Sequence, residues 1–433
     1  MVQENTLCLK IVMLRGTREL DWISVASIVL LFHLNLLPKR ILDNEWVALG
    51  LNGSPEDAAN NMLLTWRKRW VYVYDPSSNA QLDTLATNLY FFDLLDCKDP
   101  RDRLYALLGI SADTDNLNIV PNYQISPQYL YLYASTRIYL MDRNLFLLRI
   151  ISGSAVGNGT DNLPSWSYKG LPHVEDEIHS CDPHPAFSAQ YGFRFEERNK
   201  VMIVHGRVID KINFVSTESE LAIGDLYSFC NNLAYARIYP LQIIVVSLEK
   251  IHYDPEMLSS IINNLVTVPD WRPSDKSVSP AFCLWSLCRY IVSILVDSLG
   301  DVFESNSRFY NLIFLALQKL RPLNTGPEAS SLGEYWGALT GEEQHTGESV
   351  LSMVRTRGCA IALSENNQFF NMSWRATKGD RIALLEGGDV AYVLRPVGNR
   401  YRYIGTAYTH DYRDGKAYEG FDPADMDEEI WIV

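Results

Sequence analysis

The sequence predicts an α+β protein: mainly helical N-terminal and middle regions, then a C-terminal small antiparallel β-barrel-like module. Three observations carry this. Apolar residues recur every three or four positions through 80–95 and 127–141, the period of an amphipathic helix. Helix starts are marked by Asp-Pro and Ser-Pro pairs at 99, 54 and 126, a capping residue followed by proline where its missing N–H is harmless. From 358 onward, short runs rich in aliphatic and aromatic residues alternate with Asn-Asn, Lys-Gly, Gly-Gly and Gly-Asn pairs, which are turn signals at the close spacing of a meander.

In chain order, residues 5–37 read as a short strand, a turn at Gly16 and a helix entered at Asp21. Ser54, Pro55 and two following acids open a second helix. Leu82, Leu85, Leu89, Phe92 and Leu95 line one face of a third. The stretch "CKDPRDRLYALLGI", residues 97–110, then reads as a helix with both ends marked. Asp99 is the expected N-cap, Pro100 the first helical residue, Asp102 a shortened capping box, and Gly109 a left-handed closing residue. Leu104, Tyr105, Leu107 and Leu108 supply its apolar stripe. Arg101 opposes the dipole of the first turn and is expected to reach a carboxylate elsewhere. After a loop over 111–125, the Ser126-Pro127 start leads into a helix with Leu130, Ala134, Ile138 and Met141 on one face.

Residues 152–192 are rich in Gly, Pro, Ser and His and read as irregular chain, with Trp166 as the anchor that docks it. Residues 193–216 read as a β-hairpin turning near Asn199. Helical patterns resume over 219–320, clearest at 282–299 and 307–320, and 321–349 reads as a linker or exposed loop. Asp422, Asp425, Asp427, Glu428 and Glu429 read as a solvated acidic tail. The expected domains are 1–112, mostly helical; 113–345, helical with the irregular loop and hairpin of 152–216; and 346–433, the small β module with the acidic tail.

Composition narrows the function classes. With 433 residues, 47% hydrophobic and 21% charged, the chain describes a soluble globular protein able to bury real cores. A net charge of −14 argues against a general nucleic-acid binder, which needs a basic surface. The tightest basic group is only Arg67, Lys68 and Arg69. The longest uncharged run, residues 22–38, contains His33 and Asn35 and is short for a bilayer, which takes about 20 residues, so no membrane partner is expected. Seven cysteines without a CxxC pair read as reduced thiols in the cytosol or nucleus, and a cytoplasmic protein is expected.

Chemical motifs are mostly missing. The sequence has no G-x-x-x-x-G-K-[ST] phosphate loop, no H-E-x-x-H zinc helix and no G-x-S-x-G nucleophile elbow. His173, His179, Cys181 and His184 fall within one short loop, and of these His179, Cys181 and His184 are the weak metal-ligand candidates. Their order is not an established zinc spacing, and a flexible polar loop is the simpler reading. His410 with Asp411 could form a general-base pair, but no nucleophile is tied to it by sequence. Cys97 beside Lys98 is either an activated thiol or a buried helix-end residue. No catalytic residue, metal or cofactor is expected.

"DPRDRLYALLGI", residues 99–110, resembles the D-P-R-D-K-x-Y-A-L-L-G signature of fungal heterokaryon-incompatibility (HET) domain proteins. "VPNY" (120–123), "LPSW" (163–166), "PAFSAQYG" (185–192) and "VHGRVIDKI" (204–212) resemble blocks that follow in the same order. Residues 358–396 and 403–417 resemble the family's GD…VLRP module and its end, with Asp411, Arg413 and Lys416 departing from the usual residues. The W-G strand, the C-I-N-Q block and the R-V-W-x-x-Q-E block that usually open the family are not found, and residues 6–22 look like what normally follows them. Residues 1–112 are therefore expected to be a remnant following the HET core. The signature residues Asp99, Pro100, Arg101, Asp102, Tyr105 and Gly109 are read as structural.

The resemblance implies a non-catalytic interaction or regulatory protein, with a protein partner, linked to non-self recognition in hyphal fusion and to incompatibility cell death. Two alternatives stand beside it: a fragment of a full-length HET cell-death effector, and a nucleotide (NAD) hydrolase with a dispersed site.

Overall fold

A computed structural model describes residues 12–15, 18–21, 83–92, 97–151, 163–169, 192–215, 279–299, 318, 320, 339–353, 359–366, 368–373, 375–409 and 428–433. Helices and an antiparallel sheet are both present, so the protein is α+β. The chain divides into two compact units. One comprises Met1–Arg143, Ser154–Leu163 and Ser167–His173; the other comprises Asn144–Gly153, Pro164–Trp166 and Val174–Val433.

In the first unit, β1 (Val12–Arg15) and β2 (Arg18–Asp21) form an antiparallel pair. The expected strand is present, and the chain returns as a second one where three charged residues in "RELD" give little β preference; pairing rather than propensity makes β2. The helices expected from Asp21 and from Ser54 lie outside the described residues. Helix α1 (Leu85–Phe91) is capped by Thr84, whose hydroxyl accepts the Thr87 N–H at 3.3 Å. It buries Leu85, Ala86, Asn88 and Leu89. Helices α2 (Asp102–Leu108) and α3 (Thr114–Leu117) follow.

Helix α4 (Pro127–Asp142) starts where the Ser-Pro pair places it: the Ser126 hydroxyl accepts the Tyr129 N–H at 3.2 Å, and Arg143 ends the helix at φ 51°. Leu130, Ala134 and Ile138 are buried as their spacing predicts, but Met141 is 43% exposed. It sits in the final turn of α4.

In the second unit, α5 (Phe146–Ile150) precedes the hairpin of β3 (Arg194–Glu196) and β4 (Val201–Val215). Glu197, Arg198 and Asn199 turn that hairpin at positive φ, where the sequence places its turn. Helix α6 (Pro280–Leu299) is capped by Ser279 and carries buried Cys283 and Cys288. Burial raises both thiol pKa values, that of Cys283 to about 11. Of the expected helix over 307–320, only positions 318 and 320 are described, and both are helical.

Residues expected to be a linker instead contain helix α7 (Gly341–Met353). A capping box starts it: Thr340 Oγ1 accepts the Glu343 N–H at 3.2 Å, and Glu343 Oε2 accepts the Thr340 N–H at 2.9 Å. Glu343 Oε1 also takes the Trp285 indole N–H at 2.8 Å and Arg289 at 2.5 Å, which ties α7 to α6. A Cβ at Gly347 would fall 2.7 Å from the Ser286 carbonyl oxygen, so glycine permits this close crossing.

The remaining strands are β5 (Cys359–Ser364), β6 (Phe369–Ser373), β7 (Arg381–Leu385), β8 (Ala391–Val397), β9 (Arg400–Tyr408) and β10 (Glu428–Ile432). Turns fall at the expected dipeptides, with Gly379, Gly387 and Gly398 at φ 95°, 79° and 63°. β3 through β10 make one eight-stranded sheet in which β4 pairs with both β5 and β7. The path β4–β5–β6–β9–β8–β7 thus returns to β4 around a core that includes Ile212, Phe370, Met372, Leu384 and Val393. The sheet recruits residues 194–215 as well as the meander. The end of the expected acidic tail is also a strand: Glu428 and Glu429 are exposed, while Ile430 and Ile432 are buried. Alternation of faces, with period two, overrides the local charge there.

Candidate functional site

The signature 99–110 is where sequence reasoning concentrated its candidates, and the structure brings most of them together. Asp99 does not cap the helix. Its Oδ1 accepts the Arg101 backbone N–H at 3.0 Å and the Arg101 Nε–H at 2.9 Å, while Oδ2 accepts Nη2 at 2.7 Å. With its carboxylate spent locally, residues 99–101 form a turn and α2 begins at Asp102 rather than at Pro100. The carboxylate that Arg101 reaches is therefore two residues away in sequence. Gly109 has φ −70°. A left-handed residue is not needed, because the chain continues in tight turns through the Ile110 N–H to Leu107 O and Ser111 N–H to Leu108 O bonds.

The outer end of Arg101 performs the long-range work. Its Nη1 donates to the carbonyl oxygens of Tyr123 and of Ile125, the latter at 2.9 Å. Its guanidinium carbon lies 5.2 Å from the Tyr123 ring centre, within cation–π range. Tyr105 grips the same loop: its hydroxyl donates to Asn122 O at 3.1 Å and accepts the Asn122 N–H at 3.0 Å. The Tyr123 hydroxyl donates to Asp102 Oδ1 at 2.5 Å, and the Tyr131 hydroxyl of α4 donates to Pro100 O at 2.5 Å. Asp99, Pro100, Arg101, Asp102 and Tyr105 thus converge on residues 122–125 and on α4.

Electrostatics agree with a latch. The hydrogen bond from Arg101 holds the Asp99 carboxyl below its ordinary range, and the same bond raises the Arg101 pKa. The hydrogen bond to Asp102 raises the Tyr123 phenol, and burial raises that of Tyr131. Both phenols stay neutral donors. These groups hold chain together; they do not present a nucleophile beside a base. Outside the latch, Asp142 at the end of α4 is pushed up to about 6 by burial and by Asp113, whose own carboxyl is raised by burial.

The outer side of this region is aromatic. Tyr123 is 51% exposed, Tyr129 59% and Val120 74%. Tyr129 stacks on Tyr133 with ring centres 6.4 Å apart, one helical turn along α4.

Two further latches lie in the second unit. In "LPSW", Trp166 is fully buried, its indole N–H donates to Lys200 O at 3.4 Å, and its ring centre is 5.1 Å from that of Phe195. Beside it, the Ser165 N–H and hydroxyl both donate to Val433 O, and its Oγ accepts the Tyr403 N–H at 2.9 Å. In "VLRP", Arg395 donates to both oxygens of Asp380 at 2.9 Å, to Arg375 O at 2.8 Å and to Thr377 Oγ1 at 3.0 Å. Asp380 is 2% exposed. Sequence reasoning missed Ser165, Asp380 and Arg395 as partners, although the quoted blocks contain them.

His173, His179, Cys181, His184, His410 and Asp411 lie outside the described residues. Cys97 is half-buried with a free thiol. Among the described residues, no three His, Cys, Asp or Glu side chains form a group that could hold a metal ion, and no helix is long and apolar enough to cross a membrane. No protein-family model, curated protein or solved structure matches the chain.

Proposed function

We propose that this chain is a non-catalytic interaction or regulatory protein related to the fungal HET family, acting in the cytoplasm in non-self recognition and incompatibility cell death through a protein partner. The observation that carries the reading is the use of the signature's polar groups. Asp99, Arg101, Asp102 and Tyr105 are spent on fixing residues 122–125, while Tyr123 and Tyr129 remain outside. Exposed tyrosines on a fixed backbone are well suited to protein contacts, since they offer large area at small entropy cost. The resemblance of the blocks at 99–110, 120–123, 163–166 and 358–396 supplies the biological setting.

The test pairs a cellular with a chemical assay. The full chain is expressed in a filamentous fungus and hyphal fusion between otherwise compatible strains is scored, while purified protein is incubated with NAD. The expected outcome is an altered fusion response with no nicotinamide released. Nicotinamide release by the purified chain would replace this reading with the hydrolase, and an unchanged fusion response would remove the link to incompatibility.

A further inference from the structure

We draw no further inference here: the strongest candidate, the exposed aromatic patch of Val120, Tyr123, Tyr129 and Tyr133 over the loop 120–125 and the first turns of α4, belongs to the surface already proposed for protein contacts, and nothing in the structure shows what covers it.

Discussion

The Asp99–Arg101 and Asp380–Arg395 pairs use the same chemistry in opposite settings. Both are bidentate, and both arginines also take backbone carbonyls. Asp99 keeps 29% of its side chain exposed, whereas Asp380 keeps 2%. Water can replace what Arg101 gives Asp99, but it cannot reach Asp380. A buried carboxylate that loses its partner retains the whole cost of its desolvation. The surface pair is therefore a positioning device for a loop, and the sheet pair is a condition for the sheet's connection between β6 and β7 to exist.

The largest effect is expected at the sheet pair. Arg395→Met leaves the buried Asp380 carboxyl with the Thr377 N–H, at 2.9 Å, in place of its ion pair, and should cost on the order of 3 kcal/mol in urea unfolding. Adding Asp380→Asn to that variant removes the stranded charge and should restore part of the loss. A double variant as unstable as the sum of the two singles would show that the pair has no coupling, and that the buried pair matters no more than the surface one.

The second comparison is of pH response. Asp142 in the first unit has its carboxyl raised from 3.8 to about 6, with burial the leading cause and Asp113 the next. The folded state binds that proton more tightly than the unfolded chain does. Its contribution is thus complete below about pH 4 and is lost as pH rises toward about 6. Glu343 in the second unit behaves oppositely. Burial opposes its charge, but the Thr340 N–H, the Trp285 indole and Arg289 outweigh it and hold the carboxyl low. Its contribution is present above the ordinary carboxylate range and lost as pH falls below it. Asp142→Asn should stabilise the protein at neutral pH by about 1–2 kcal/mol and flatten its stability between about pH 4 and 6. An undiminished slope in that window would assign it to other groups.

These contrasts also explain what the sequence could disclose. Local signals were legible. Ser126-Pro127 marks the start of α4, Gly379, Gly387 and Gly398 mark turns, and the four-residue spacing of Leu130, Ala134 and Ile138 marks a buried face. Thr340 and Glu343 were equally local, as a T-x-x-E capping box inside a polar stretch, but the Gly, Ser and Glu content around them concealed α7. Partnerships set by tertiary contact were not legible. Nothing near Arg395 in sequence nominates Asp380, fifteen residues away, and nothing in "DMDEEIWIV" announces that β4 supplies the edge that turns a charged tail into a strand. Arg101 illustrates both sides. Its need for a carboxylate could be argued from the helix dipole, but the choice of Asp99, and the loop carbonyls beyond it, depended on how the turn closes.

The smallest effect on global stability is expected at Arg101 itself. Arg101→Ala removes a partly exposed pair and two carbonyl contacts on a surface loop, so the loss should be well below that of Arg395→Met. Its signature should be local instead. Hydrogen exchange should speed up at the Asn122 amide, because its bond to the Tyr105 hydroxyl sits in a loop that loses the Arg101 bonds to the Tyr123 and Ile125 carbonyls, and the exposed Tyr123 should lose its fixed backbone. The Asp99 carboxyl, held low by Arg101, should return toward its ordinary value, removing a contribution that the folded protein otherwise loses only as pH falls below the carboxylate range. Binding of a partner, expressed per folded molecule, should persist if the arginine is purely architectural, because the tyrosines are still present and their loop is still tethered by Tyr105. Normal melting with abolished binding would instead make Arg101 part of the recognised surface. Normal melting with unchanged exchange at Asn122 would show that Tyr105 and Asp102 suffice to hold the loop, and the two latches would then differ in necessity as well as in burial.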